Sequence, residues 1–238
     1  MKKKSSIKLQ NNNRPQELIK IENILDKMET TLNYFENLSR LTALKELQME
    51  EDNDPFKILI GTILSARSRD ENTSKIVRKL FQKYKNALEL SNADLNDVKS
   101  IIHSIGFYNT KSERIKQASK IIVEKFHGIV PSELEDLLSL PGVGRKTANC
   151  VLVYAFNKPA IPVDTHVHRI SNRLGIVKTQ DVKKTEEELI KIVDKKYWLI
   201  LNNIFVIYGQ NICIPIRPKC QICSLKGICN FYINQKKI

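Results

Sequence analysis

The sequence lacks an apolar run long enough to cross a membrane. Its longest apolar runs, around residues 58–64 and 198–208, fall far short of the ~18 residues that a bilayer-spanning helix needs. Glycine is scarce as well: 8 in 238 residues is about half the usual ~7%, which disfavours a turn-rich β protein. The first 16 residues are basic and polar without an apolar core, so no secretory signal is expected. These absences predict an intracellular protein that is not a membrane protein.

Acidic residues are outnumbered by basic ones. The 39 Lys and Arg against 26 Asp and Glu give a net charge of +13 and a pI of about 9.5. Such a charge is typical of proteins that bind a polyanion, and nucleic acid is the default partner. A charge that only keeps the protein soluble is the alternative, and composition does not separate DNA from RNA or from an anionic surface. Residues 1–19 are predicted to form a disordered basic tail.

Period-two alternation of polar and apolar residues is also missing, so no strand is predicted. From residue 19 onward the apolar spacing is helical almost throughout. Asp54 followed by Pro55 predicts an N-cap with proline at the first helical position. Ser132 and Glu135 fit a capping box that opens a short helix. The predicted fold class is all-α.

The cysteines do not suggest a disulfide framework. There are five, an odd number, and four of them follow the spacing Cys213-x6-Cys220-x2-Cys223-x5-Cys229. Four clustered thiolates indicate a metal site in a reducing compartment. By ligand type, a [4Fe–4S] cluster and a structural zinc ion fit equally well. The fifth cysteine, Cys150, is predicted to be a buried thiol.

The most informative stretch is Leu140-Pro141-Gly142-Val143-Gly144-Arg145-Lys146-Thr147-Ala148. One helix is expected to stop at Pro141, a tight turn to use Gly142 and Gly144, and a second helix to start near Arg145. Main-chain N–H groups of such a turn form an anion site. A helix-hairpin-helix of this kind can hold a DNA phosphate without reading a base. Gly-x-Gly before a helix also occurs in ordinary turns between helices.

Two side chains in and after this turn are candidate catalytic groups. Lys146 lies in the first turn of the second helix, where the helix dipole disfavours the charged ammonium and so favours a nucleophilic amine. A surface lysine that binds phosphate is the alternative. Asp164 precedes another apolar-periodic helix and is predicted to be its N-cap. A carboxylate fixed at a helix start also suits the stabilisation of a developing cation.

The hairpin, Lys146, Asp164 and the cysteine spacing together resemble the endonuclease III family of DNA glycosylases. The similarity runs from about Pro55 to Cys229 and includes the strings LPGVGRKTAN and VDTHV. It implies a bifunctional enzyme of base excision repair that removes oxidised pyrimidines and cleaves the abasic site by β-elimination. Lys146 would be the nucleophile that forms a Schiff base, with Asp164 as its partner. The resemblance also decides for a [4Fe–4S] cluster, with a structural role, on the four clustered cysteines.

The resemblance further implies which residues contact double-stranded DNA. They come from the hairpin and from the basic loop between the cysteines: Leu140, Gly142, Val143, Gly144, Arg145, Thr147, Arg217 and Lys219. Arg67 stands where many family members carry a glutamine that enters the space left by the flipped base. Binding to a phosphate, or pairing with Asp70, is its alternative role. Phe107 stands where members present an apolar wedge, often leucine, and a buried core aromatic is the alternative.

The architecture implied is two helical lobes with DNA in the cleft between them. Residues 48–157 would form a helical barrel that holds the hairpin, and residues 20–47 with 158–238 would form the iron–sulfur lobe. The protein is expected to be a monomer in the cytoplasm and nucleoid. Two alternatives remain at this stage: a glycosylase for another lesion or mismatch, and a non-catalytic DNA-binding module of the same fold.

Overall fold

The structure is a computed structural model that describes residues 21–34, 42–66 and 70–235. Within these ranges all regular secondary structure is helical, which confirms the all-α prediction. The predicted tail at residues 1–19 and the candidate Arg67 lie outside the described residues. No helix in the described ranges is long and apolar enough to cross a membrane.

The helices are numbered in chain order. They are α1 (Ile21–Asn33), α2 (Ala43–Glu50), α3 (Pro55–Ser65), α4 (Asp70–Lys83), α5 (Ala87–Asn92), α6 (Leu95–Ile102), α7 (Tyr108–Phe126), α8 (Leu134–Leu138), α9 (Arg145–Phe156), α10 (Thr165–Leu174), α11 (Val182–Ile192), α12 (Trp198–Asn211) and α13 (Asn230–Gln235). Short 3₁₀ turns lie at Lys195–Tyr197 and Cys220–Ile222.

The chain divides into two compact units. One contains the described residues from 21 to 42 and from 161 to 235, and the other contains residues 43–160. Residues 43–47 and 158–160, expected in the first unit, belong to the second in the structure. Residues 43–47 lie in α2, which packs on α3, α4 and α9. The physical reason is that Leu47 is buried and the Gln48 amide donates to the Tyr154 carbonyl at 2.7 Å.

Helix α3 is the centre of the unit formed by residues 43–160. Its residues from Phe56 to Leu64 are buried except Lys57, and α9 packs along it. The predicted cap is confirmed: Asp54 Oδ1 accepts from the N–H groups of Phe56 at 2.9 Å and Lys57 at 3.1 Å. Because α9 follows the glycine hairpin, its packing on a buried helix fixes the hairpin in place.

The capping box predicted at Ser132 and Glu135 is wrong. Helix α8 begins after Glu133, and no side chain caps its first turn. The Ser132 hydroxyl instead accepts from the Lys158 ammonium at 2.9 Å, and the same ammonium binds the Ser132 carbonyl at 2.8 Å and Glu133 Oε1 at 2.7 Å. The Lys158 ammonium, 26 residues later in the sequence, therefore binds the Ser132 hydroxyl that a local cap would have used.

A buried lysine ties α7 to the end of α3. Only 5% of Lys111 is exposed, and its ammonium donates to the Leu64 carbonyl at 2.8 Å. Leu64 lies in the last turn of α3, where carbonyl groups have no partner within the helix. Burial lowers the pKa of Lys111 from 10.5 to about 8, since removal from water disfavours the charged form.

The unit that contains α1 has its own apolar core. Side chains of α1, α10 and α12 meet there, with α11 and the C-terminal segment around them. Gly209 on α12 sits where α10 comes close: a Cβ built on it would lie 2.5 Å from His166 Nδ1 and 2.8 Å from His166 Cβ. This glycine allows the close approach of α12 to the first turn of α10.

We expect Gly209→Ala to destabilise the protein. Alanine favours a helix by about 1 kcal/mol over glycine, but its methyl group would overlap His166, whose ring also contacts Arg169 at 3.1 Å. Because the overlap includes His166 Cβ and not only the end of the side chain, the overpacking cost should lie in the upper part of the usual range of about 1–3 kcal/mol, which leaves a net loss of about 1–2 kcal/mol. The Tm followed by circular dichroism should fall by about 2–8 °C. Gly227→Ala is the matched control, since nothing lies within 4 Å of a Cβ there; equal Tm values for the two variants would contradict the close-contact argument.

Burial of Lys111 predicts a pH-dependent stability. Between pH of about 8 and 10.5 the unfolded chain holds a proton on this amine that the folded chain has released, so rising pH favours the folded state. Below pH of about 8 the burial penalty is present in full. The free energy of unfolding of the wild type, minus that of Lys111→Met, should therefore increase between about pH 7 and pH 10 in urea titrations. Parallel pH profiles for the two proteins would show that burial does not perturb this lysine.

Candidate active site and cysteine centre

The hairpin between α8 and α9 has the geometry that its glycines predict. Gly142 has a φ of +84°, a left-handed conformation that glycine adopts without strain. The Val143 N–H closes the turn onto the Leu140 carbonyl at 3.1 Å. Gly144 is the N-cap of α9 and provides no side-chain cap for the first turn. The start of α9 therefore offers main-chain N–H groups, at the positive end of a helix dipole, beside an exposed glycine.

The predicted hairpin residues divide into an inner and an outer set. The side chains of Leu140, Val143 and Thr147 are buried, so they hold the turn against the unit. Gly144 and Arg145 are exposed, and Gly142 is half-buried. Because the side chains of the inner set are buried, a ligand would contact these residues through their main chain.

Lys146 is the second residue of α9 and is exposed. The prediction that it lies in the first turn of the second helix is therefore confirmed. The residue is exposed and directly follows the glycine turn.

Asp164 is the N-cap of α10, as predicted. Its Oδ1 accepts from the N–H groups of His166 and Val167, each at 2.9 Å. The side chain is half-buried, and its hydrogen bonds within the described residues all use Oδ1. The carboxylate is thus held in one orientation while Oδ2 is available for a ligand. Asp164 belongs to the unit that contains α1, and Lys146 belongs to the other.

Phe107 is exposed, so the alternative of a buried core aromatic is wrong. It presents 67% of its surface to solvent and has a left-handed backbone with φ of 61° directly before α7. A bulky residue is uncommon in this region of φ and ψ, and such strain is often found at functional sites. Its exposure agrees with a role as an apolar wedge.

The four clustered cysteines line one cavity, together with Arg173 and Tyr208. None of the five cysteines forms a disulfide, and Cys150 is buried in α9, as predicted. Within the described residues, no group of three His, Cys, Asp or Glu side chains is arranged to hold a single metal ion. A thiol set around one cavity is nevertheless the donor chemistry that an iron–sulfur cluster requires.

Two arginines of α10 hold the start of the cysteine loop. Arg169 donates to the carbonyls of Gly209 at 3.0 Å and Cys213 at 2.9 Å. Arg173 donates to the carbonyls of Ile214 at 2.8 Å and Pro215 at 2.7 Å. Burial lowers the pKa of Arg169. Neither role was predicted from the sequence, where the only signal was two arginines four residues apart on a helix.

Further contacts reach the cysteine sulfurs. Arg173 Nη1 donates to Cys213 Sγ at 3.4 Å, and the Tyr208 hydroxyl lies 2.9 Å from Cys223 Sγ. Burial raises the pKa of the Cys220 and Cys229 thiols. The positive charge of a bound metal centre would favour the ionised thiolates.

The predicted basic residues of the cysteine loop are at the surface. Arg217 and Lys219 are both exposed, and Arg217 has a left-handed backbone with φ of 53°. Both residues lie between Cys213 and Cys220. Contacts that hold these two cysteines therefore also hold the loop that carries Arg217 and Lys219.

The family model of the HhH-GPD superfamily of base excision DNA repair proteins matches residues 60–195. Endonuclease III of Thermotoga maritima is 48% identical over 202 residues, which cover 85% of this chain and 95% of that protein. Among solved structures, a non-covalent endonuclease III–DNA complex is 32% identical with a TM-score of 0.79, covering 92% of this chain and 100% of the other. A trapped endonuclease III–DNA covalent intermediate is also 32% identical, with a TM-score of 0.78 and coverage of 92% and 99%.

Both the hairpin and the order of the helices are thus shared with DNA-repair proteins over most of the chain. The resemblance inferred from the sequence motifs is confirmed, and with it the enzyme class. The chain belongs to the endonuclease III family of the HhH-GPD superfamily of base excision DNA repair proteins.

Proposed function

We propose that this protein removes oxidised pyrimidines from duplex DNA and then cleaves the abasic site through a Schiff base on Lys146. The observation that carries the proposal is the position of the exposed residue Lys146 in the first turn of α9, directly after the glycine hairpin. A hairpin that binds a phosphate through its main chain holds the strand without selecting a sequence. Selectivity then comes from the base that is turned out of the helix, which costs least for a damaged base.

Phe107 is proposed to fill the space that the flipped nucleotide leaves. An exposed aromatic ring can insert between bases and replace the stacking that flipping removes. Its left-handed backbone directly before α7 sets the direction in which the side chain leaves the main chain.

In the first chemical stage the neutral Lys146 amine attacks C1′ of the damaged nucleotide. The C–N bond to the base breaks, and the base leaves with the bonding electrons and a proton. The sugar ring then opens: the C1′–O4′ bond breaks, the ring oxygen takes up a proton, and the nitrogen lone pair forms the double bond of an iminium ion between Lys146 Nζ and C1′. The fixed carboxylate of Asp164 suits stabilisation of the positive charge that develops on the sugar.

In the second stage a base removes a proton from C2′, and the electrons expel the 3′ phosphate oxygen. The strand is cut on the 3′ side of the lesion, leaving an unsaturated sugar bound to Lys146 and a free 5′ phosphate. Addition of water to the imine releases the sugar and restores the amine. No oxidant or reductant enters this sequence.

Lys146→Ala tests the nucleophile directly. The wild type should form a borohydride-trapped adduct with duplexes that carry thymine glycol or an abasic site, because reduction converts the imine to a stable amine. The variant should form none and should cleave neither duplex. Lys120→Ala is the matched control that should retain the adduct, since it removes an exposed lysine of α7 whose ammonium lies 3.7 Å from Glu124. An adduct that persists in Lys146→Ala would identify another amine as the nucleophile.

A [4Fe–4S] cluster is proposed to bind Cys213, Cys220, Cys223 and Cys229. The support is that all four line one cavity and that their spacing is the family pattern. When bound, the cluster supplies a fourfold covalent link across the loop rather than a catalytic step. The protein's own residues then present Arg217 and Lys219 from a fixed loop.

Anaerobically purified protein should contain about four irons per chain and absorb broadly near ~400 nm. Cys220→Ala should lose iron and lower the Tm, because one ligand is missing and the loop is no longer held. Cys150→Ala, which removes a buried thiol outside the cavity, should keep its iron. Stoichiometric zinc in a colourless protein would instead establish a structural zinc site.

A further inference from the structure

One face of α7 connects Phe107 to the hairpin. Phe107, Lys111 and Arg114 are spaced four and three residues apart, which places them on the same side of the helix. Phe107 and Arg114 are exposed, whereas Lys111 between them is covered and binds the end of α3. Phe107 and Arg114 are therefore the exposed ends of one side of the helix, and the buried Lys111 between them attaches that side to α3.

Arg114 packs on the hairpin turn itself. A Cβ built on Gly142 would lie 3.1 Å from Arg114 Cδ and 3.2 Å from Arg114 Cβ. The aliphatic part of the arginine thus covers the glycine at the centre of the turn. This contact restricts the rotamers of Arg114 and keeps its guanidinium beside the hairpin.

Among the described residues, none binds the guanidinium of Arg114. Arg114 makes no hydrogen bond or ion pair within the part of the chain that the structure describes. The adjacent carboxylate, Glu113, lies 3.7 Å from the Lys99 ammonium instead. A guanidinium whose stem is packed on Gly142, and which has no acceptor in the described ranges, is suited to bind an external oxyanion.

We propose that Arg114 binds a backbone phosphate of the damaged duplex, next to the phosphate that the hairpin holds. The inference rests on the proposed binding of DNA at the hairpin and extends that site along α7. Seven residues of helix span about 10 Å, so a duplex that receives Phe107 and rests on the hairpin passes close to Arg114. The arginine would fix the strand between its anchor and the wedge.

A phosphate is the ligand that this position favours. A protein carboxylate as partner would have to approach a chain of net charge +13 beside a helix N-terminus, a surface that attracts polyanions. A base edge is less accessible, because the neighbouring hairpin holds the strand by its backbone. Arg114 should therefore raise affinity for all sequences alike.

The test is the salt dependence of DNA binding. The probe is a duplex with a tetrahydrofuran abasic-site analogue, which the enzyme binds without forming an imine. Arg114→Gln keeps most of the stem over Gly142 and removes the charge. The slope of log K against log salt should become shallower by about 0.9, and affinity at ~0.1 M salt should fall about 5–10-fold. Arg114→Lys should retain the wild-type slope.

Lys120→Gln is the matched control. It removes the same charge from the same helix, but six residues further along and on another side, at an exposed lysine 3.7 Å from Glu124. Its slope and its cleavage of abasic DNA should equal those of the wild type. A wild-type slope in Arg114→Gln would overturn the inference while the enzyme still cleaves abasic DNA. Absence of cleavage in the wild type itself would instead overturn the proposed function.

Discussion

Two arginines of α10 bind main-chain carbonyls in the last turn of α12 and in the segment that follows it. Helix ends leave their last carbonyls without partners in the helix, and Arg169 and Arg173 bind four carbonyls of the chain between Gly209 and Pro215. Cys213 lies in this segment. Since the same helix begins at the Asp164 cap, one rigid element joins the candidate carboxylate to the start of the cysteine loop.

In the other unit, the hairpin is likewise held by an adjoining helix that packs on the core. Its inner residues Leu140 and Val143 are buried, and α9 packs on the central helix α3. The outer surface is left to glycine and main chain, which can approach a phosphate closely. Buried residues of this short segment thus hold the hairpin on the core, while exposed residues of the same segment leave its main chain accessible. An exposed lysine can then be positioned accurately without being buried itself.

Features set by local chemistry could be predicted from the sequence. The caps at Asp54 and Asp164 follow from an acceptor side chain placed before an apolar-periodic helix, and the hairpin follows from its glycines. The capping box at Ser132 failed because Lys158, 26 residues later, binds the same serine. A pattern read from a few neighbouring residues does not include Lys158, which competes for the Ser132 hydroxyl.

Other features depend on packing that periodicity does not encode. Lys111 was indistinguishable from the surface lysines around it, yet it is buried against Leu64. An aromatic residue such as Phe107 fits a core or a surface equally well, and the choice depends on its exposed position directly before α7. The arginine contacts to the cysteine loop join residues about forty positions apart, beyond the range of helical spacing.

The division of the chain has a consequence for how it folds. Thr31 of α1 contacts Ser224 at 2.6 Å across 193 residues of sequence, whereas residues 43–160 form a continuous unit. During synthesis from the N-terminus, the continuous unit can assemble as soon as residue 160 has left the ribosome. Helix α1 must wait for its partners until nearly the whole chain is made. Closing so long a loop is slow, so the hairpin takes shape before the cysteine loop does.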